Sequence, residues 1–277
     1  MNRRQLLGTA ASYVAGVGRV LANALGWPVG CQMYPTRDLI GKDFAGTLRQ
    51  MREAGYQTIE MCSPPGYPST GFGALTKLKA PEMRRLIEGA GLRCESCHYQ
   101  FGELKQNLDD RIAFAKELGL KQMVLAMFGL PDNAGLADWT QAANELNKIG
   151  ERTRKAGIQM VFHNHEFEFR QIGGVLIYDH LMGVLNPDAV KMQFQVAVIS
   201  IGYQAATFFE KYPGRFASMH LADWSASEKK QVPIGAGVVD WKRLFTAAKN
   251  AGVKNYFVEM SLDLMKASTQ YLHALKV

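Results

Sequence analysis

From residue 28 to the C-terminus, short β-rich runs alternate with stretches whose apolar positions recur at helical spacing. Val29–Tyr34, Thr58–Met61, Arg93–His98, Gln122–Ala126, Gln159–His165, Val190–Val196, Phe216–Leu221 and Tyr256–Glu259 read as strands. Their starts lie roughly 32 residues apart, about the size of one strand-plus-helix unit. Phe44–Ala54, Pro81–Ala90, Leu108–Leu118, Thr140–Ala156 and Trp241–Ala251 read as intervening helices. Gly55, Gly91, Gly119, Gly157 and Gly252 stand where a left-handed residue would close a helix before the next strand. Eight such units predict a single (β/α)8 TIM barrel over residues 28–277, with a doubly wound open sheet as the competing arrangement. No Gly-x-Gly-x-x-Gly loop follows the first strand, and no Gly-rich loop ends in Lys-Ser/Thr. Nucleotide binding in those two styles is therefore not expected. No linker divides the chain.

Composition narrows the class. The chain has 277 residues, of which 47% are apolar and 21% charged, enough for a sizeable core and unlike a disordered chain. No uncharged apolar run of about 18 residues occurs, so no membrane span is expected in the mature chain. Four cysteines are too few for a disulfide scaffold. The net charge of +7 includes three arginines and no acid in residues 1–24, and without that segment it falls to +4. With no Lys/Arg block of five, nucleic acid is not an expected partner, although a mildly basic surface favours anionic ligands. Arg3 and Arg4 precede an apolar stretch of small residues, and Ala22-Asn23-Ala24 offers a small-x-small cleavage site. Residues 1–24 thus resemble a twin-arginine signal peptide, which implies an exported, periplasmic protein beginning near Leu25. The competing reading is an amphipathic N-terminal helix of a cytoplasmic protein.

The C-terminal ends of barrel strands are where such folds place their chemistry. Tyr34 and Arg37 follow the first strand, Glu60 ends the second and His98 the third. His163, Asn164, His165, Glu166 and Glu168 end the fifth, and Gln193 and Gln195 lie on the sixth. His220 and Asp223 end the seventh and Glu259 the eighth. Polar groups at the ends of apolar runs need partners, and six strands carry them on one rim. His163 and His165 are two apart, so on a strand both would point into the mouth. They are either metal ligands, acid–base groups, or hydrogen-bonded braces of the strand end. His220 and Glu259 add a nitrogen and an oxygen donor, and mixed His/carboxylate sets suit Mn²⁺, Fe²⁺, Co²⁺ or Zn²⁺ better than Ca²⁺.

Together these residues resemble the sugar phosphate isomerase/epimerase family of xylose-isomerase-like TIM barrels. The resemblance begins with Gly30-Cys31-Gln32-Met33-Tyr34-Pro35-Thr36-Arg37-Asp38 and Gly55-Tyr56-Gln57-Thr58-Ile59-Glu60. Its most specific element, Phe162-His163-Asn164-His165-Glu166-Phe167-Glu168-Phe169, is similar to the His-Asn-His-(Asp/Glu)-Phe-Glu-Phe signature of one branch. His220-Leu221-Ala222-Asp223, Pro233 to Trp241 and Val258-Glu259 extend it. The resemblance implies one divalent metal held by strands five to eight, usually by Glu, Asp, His and Glu. Carried over, His220 and Glu259 are ligands, with His163 or His165 on strand five, His165 being the assignment adopted. The usual strand-six Asp falls on Gln195, a neutral and weaker donor, so weak metal binding is expected. Ala222 stands where the branch often has Lys.

The implied chemistry is isomerisation or epimerisation of a small sugar or keto-sugar through an enediolate. Glu259 is the candidate base, and His163, His165 or Glu168 the group that protonates the opposite face. Tyr34, Arg37, Glu60, His98, Asp223 and Trp224 are candidate substrate contacts. Arg37 could instead pair with Asp38 or Asp43, and Trp224 and Trp241 either stack on a sugar or pack in the core. The same proton abstraction can expel a β-leaving group, which gives a lyase or hydratase acting on 3-keto-sugars or keto-glycosides. Without metal, the barrel would be a non-catalytic sugar binder. Oligomeric state stays open, a homo-oligomer included. Cys94-Glu95-Ser96-Cys97-His98 matches the haem-attachment spacing, but on a strand residues three apart face opposite sides, so haem is rejected.

Overall fold

A computed structural model describes residues 26–277; the expected signal segment lies outside the described residues. Eight strands form the barrel: β1 (Gly30–Gln32), β2 (Thr58–Cys62), β3 (Arg93–Tyr99), β4 (Gln122–Leu125), β5 (Gln159–His163), β6 (Val190–Gln195), β7 (Phe216–Leu221) and β8 (Asn255–Val258). They close in sequence order, all parallel, with β1 paired to both β2 and β8. This is the (β/α)8 barrel expected from the alternation, and the open sheet is excluded.

The helices sit where periodicity put them, with differences that have local causes. The helix expected from Thr140 begins a turn earlier and spans Leu136–Lys155. The Asp138 carboxylate accepts the Gly135 N–H at 2.8 Å, and this cap fixes the earlier start. Asp43 and Asp240 cap Phe44–Glu53 and Trp241–Asn250 through the N–H groups of Gly46 and Arg243. The five glycines read as helix closures all take positive φ, between 76° and 102°. Short helices at Arg37–Lys42, Ile177–Val184 and Ala205–Lys211 carry too few turns to stand out in the sequence.

The apolar core lies mainly between the barrel wall and its helices, while the upper barrel interior is polar. Phe194 on β6 packs outward against Phe208, Phe209 and Phe216, with ring centroids 5.3–6.2 Å apart. Side chains alternate along a strand, so the fixed outward Phe194 sends Gln193 and Gln195 inward. Both glutamines are buried there.

β1 is shorter than expected. It ends at Gln32, because the chain enters a 3₁₀ turn at Tyr34–Thr36 in which Pro35 offers no N–H to a ladder. Within β1, Gly30 lies against both neighbouring strands. A Cβ there would meet the Tyr256 carbonyl at 2.4 Å and Thr58 Oγ1 at 2.7 Å. Gly30→Ala is expected to destabilise the barrel by about 1–3 kcal/mol, as overpacking does. Chemical denaturation would register this as a lower midpoint; an unchanged midpoint would mean the strands part freely at β1.

A candidate active site at the barrel mouth

The polar interior is built around Glu60 on β2, which is fully buried. Its Oε1 accepts from Ser96 Oγ (2.5 Å) and Gln193 Nε2 (2.8 Å), and its Oε2 from Gln32 Nε2 (3.0 Å) and His220 Nε2 (2.5 Å). His98 Nε2 stands 3.1 Å from the same Oε2 and 2.8 Å from Gln193 Oε1. Above this layer, Glu259 Oε2 receives two side chains, His220 Nδ1 at 2.9 Å and Gln195 Nε2 at 2.6 Å. Both nitrogens of the His220 ring are thus engaged by carboxylates, one from below and one from the mouth. The ring also stacks on His98, 5.2 Å between centroids and 7° from parallel.

These contacts set the charges. Burial opposes a charge on His220, but Glu259 and Glu60 outweigh it and raise the ring to about 9, an imidazolium at neutral pH. Burial would raise Glu259, yet the charge and hydrogen bond of His220, with His98 and Gln195, bring it down to about 2. Glu60 is lowered in the same way, burial being overcome by His98 and His220. On the β5 side the balance is reversed. Burial lowers His163 well below its ordinary value and His165 to about 4, so both are neutral. Burial also lifts Glu168 to about 7, against hydrogen bonds that would lower it.

The strand-five residues depart from the expected geometry. β5 ends at His163, so strand alternation does not govern His165. Asn164 Oδ1 takes the Gln195 N–H at 3.1 Å and Glu168 Oε2 takes the His165 N–H at 2.7 Å, which draws the backbone out of the ladder. The two imidazoles stand at 89° to one another, 4.8 Å apart, and the Nδ1 of each is buried without a hydrogen-bond partner among the described residues. His163 is buried beside His220, 4.5 Å between ring centroids. His98, His163 and His220 also form a group of possible ligand atoms within 4.8 Å of one another.

Other expected site residues are placed differently. Glu60 and His98 lie beneath the mouth, with Glu60 wholly inaccessible. Asp223 is buried and fully used: it accepts the N–H groups of Trp224, Gly235, Gly237 and Val239 and the Trp241 indole, at 2.9–3.2 Å. It organises the loop after β7 and offers no free oxygen to a substrate. Trp241 is correspondingly a core residue, 3% exposed. Trp224 is half-buried on a short ribbon, Asp223–Ser225 paired with Lys230–Val232. Arg37 pairs with neither Asp38 nor Asp43; its guanidinium lies 4.5 Å over the half-exposed Tyr34 ring. All four cysteines are buried free thiols.

Gln32, Ser96 and Ser218 belong to the polar layer but were not singled out in the sequence. Gln193 was noticed there without a role; it donates to Glu60 and to Ser218 Oγ. Their signal was positional: each is a polar residue wholly buried within a barrel strand.

With this geometry in place, comparison with known proteins is informative. A family model for the xylose isomerase-like TIM barrel matches residues 48–274. An inosose dehydratase from Lacticaseibacillus casei is 25% identical over 260 residues, covering 79% of this chain and 86% of that protein. The crystal structure of a sugar phosphate isomerase/epimerase from Parabacteroides distasonis superposes with a TM-score of 0.75 at 25% identity, covering 90% and 94% of the two chains. A xylose isomerase-like TIM barrel protein from Mycobacterium smegmatis, solved in complex with magnesium, shares the fold with a TM-score of 0.66 at 16% identity, over 91% and 97%. Among the described residues, no helix is long and apolar enough to cross a membrane.

The Asp223 arrangement makes a prediction. Asp223→Ala removes one carboxylate and orphans four backbone N–H groups and an indole N–H. Stability should fall by at least about 1.5–3 kcal/mol, the value of a hydrogen bond to a charged group. Amide exchange at Gly235, Gly237 and Val239 should accelerate. Wild-type protection at those amides would show that the loop is held by something else.

Proposed function

The chain belongs to the xylose isomerase-like TIM barrels, and we propose on that premise that it is an enzyme removing the proton beside the carbonyl of a small keto-sugar or keto-polyol, with loss of a β-hydroxyl as water. One observation carries this reading. Gln195 Nε2 and His220 Nδ1, from neighbouring strands, lie 2.6 and 2.9 Å from Glu259 Oε2, just past the end of the next strand, at the open end of the barrel.

That spacing fits a divalent ion. Ligands at about 2.0–2.2 Å from a metal stand about 3 Å apart when adjacent on it. The Gln195 amide can present oxygen in place of nitrogen, because the two ends of an amide are assigned from their surroundings. The unpartnered Nδ1 of His165 is a further buried donor near Glu259, whose charge acts on that ring. His165, Gln195, His220 and Glu259 would hold the ion, of Mn²⁺, Fe²⁺, Co²⁺ or Zn²⁺ type, with reduced affinity because Gln195 is neutral. Once bound, it would supply Lewis-acid stabilisation of the enediolate oxygens.

The chain's own groups account for the proton transfers. Glu259 is ionised and partly open, and among the described residues no hydrogen bond uses its Oε1. Oε1 takes the proton from carbon, and the electron pair passes into the enediolate. Collapse of the enediolate breaks the β-carbon–oxygen bond, and the hydroxyl leaves as water after receiving a proton. Glu168, which burial keeps partly protonated near neutrality, supplies that proton.

Likeness to the inosose dehydratase favours elimination. Likeness to the isomerase/epimerase structure supports a second reading, in which the same enediolate is reprotonated without loss of water. Incubation of metal-loaded protein with keto-inositols and 3-keto-glycosides in D₂O, followed by NMR, separates the readings. Elimination gives an unsaturated or diketone product, whereas epimerisation gives a deuterated isomer. Metal binding without either product would leave a sugar-binding barrel.

Two variants test the site. His220→Ala should abolish Mn²⁺ binding in calorimetry. Gln195→Asp should tighten it about tenfold, since an anionic oxygen replaces a neutral one. Equal or weaker affinity in the Asp variant would remove strand six from the ligand set.

A further inference from the structure

We infer that Glu60 is a positioning residue, which holds the His220 ring so that Nδ1 faces the ligand set at the mouth. This inference rests on the metal reading given above. Glu60 cannot meet a substrate directly, since it is fully buried beneath the His220 ring. A buried carboxylate is costly unless its oxygens are satisfied. Here donors arrive from four other strands: Gln32 from β1, Ser96 from β3, Gln193 from β6 and His220 from β7. Gln32, Ser96 and Gln193 fix where the carboxylate sits, and their own contacts do not involve Glu259.

The direction of the last contact matters. A carboxylate can only accept, so the 2.5 Å contact with Glu60 puts an N–H at Nε2, and the 2.9 Å contact with Glu259 puts one at Nδ1 in the metal-free ring. A ligating His220 would give up the hydrogen on Nδ1, the atom beside Glu259 Oε2, and keep the one on Nε2 that Glu60 accepts. A carboxylate behind a ligating imidazole selects the tautomer, orients the ring and raises its basicity. Stacking on His98 limits rotation of the ring about the same axis. Glu60 would thereby compensate in part for the missing charge at position 195, by acting on the ligand in place of the ion.

Nitrogen-15 NMR of the histidine side chains in the intact protein, titrated with Zn²⁺ as a diamagnetic probe, is the test. The His220 signals are identified by their loss in His220→Ala. Zn²⁺ should shift Nδ1 of His220 while Nε2 keeps its hydrogen. A shift at Nε2, with the hydrogen on Nδ1, overturns the role of Glu60 and leaves metal binding standing. No zinc-induced shift at His98, His163, His165 or His220 removes the metal reading, and the inference with it. As a second measurement, Glu60→Gln should raise the Kd for Mn²⁺ by about 10–100-fold. The circular dichroism of its metal-free form should match wild type. A folded Glu60→Gln protein with wild-type affinity contradicts the inference. Should that variant not fold, the wild-type titration decides alone.

Discussion

A carboxylate buried at the centre of a barrel must be surrounded by donors, and Glu60 imposes that demand on this fold. It explains why the upper interior holds Gln32, Ser96, Gln193 and His220 where an ordinary barrel would hold branched apolar side chains. It also ties β1, β3, β6 and β7 to β2 through side chains, in addition to the backbone ladder. The apolar core is correspondingly displaced outward, into the layer between strands and helices, where the cluster around Phe194 packs. That cluster fixes the facing of β6 and so determines that glutamines, not aromatic residues, reach the interior.

The mouth inherits its charge pattern from this arrangement. His220 lies between two carboxylates and is pulled toward the charged form, whereas His163 and His165 lie among other imidazoles and are kept neutral. Equivalent residue types therefore serve different purposes within a few ångströms, according to whether burial or a neighbouring carboxylate prevails. The loop after β7 is held separately: Asp223 gathers its backbone N–H groups and leaves the mouth to Glu259 and the β5 histidines.

Much of this was legible in the sequence because strand-plus-helix spacing and glycine closures are local signals. The barrel and the ends of most helices follow from periodicity. What periodicity could not supply was the vertical position of each polar group. Glu60 and His98 were read as strand ends like Glu259, yet β2 and β3 run on to Cys62 and Tyr99, and both residues lie beneath the mouth, since depth depends on strand stagger around the closed barrel. Asp223 looked like a site residue for the same reason; its partners at 235–241 come from a loop whose path no strand pattern reveals. His165 was read as a strand residue because the side-chain hydrogen bonds that end β5 come from Asn164 and Glu168, which pattern alone leaves undirected. Gln195 drew notice only through the resemblance, which implied an acidic residue at that position.

On this reading the ends of Gln195, His220 and Glu259 form one metal-binding point at the barrel mouth. Anomalous diffraction at the manganese edge, from crystals soaked in Mn²⁺, tests it directly. A single peak is expected beside Glu259, within coordination distance of His220 Nδ1 and the Gln195 side chain. A peak enclosed by His98, His163 and His220 in the barrel interior, or no peak at the mouth, would contradict it.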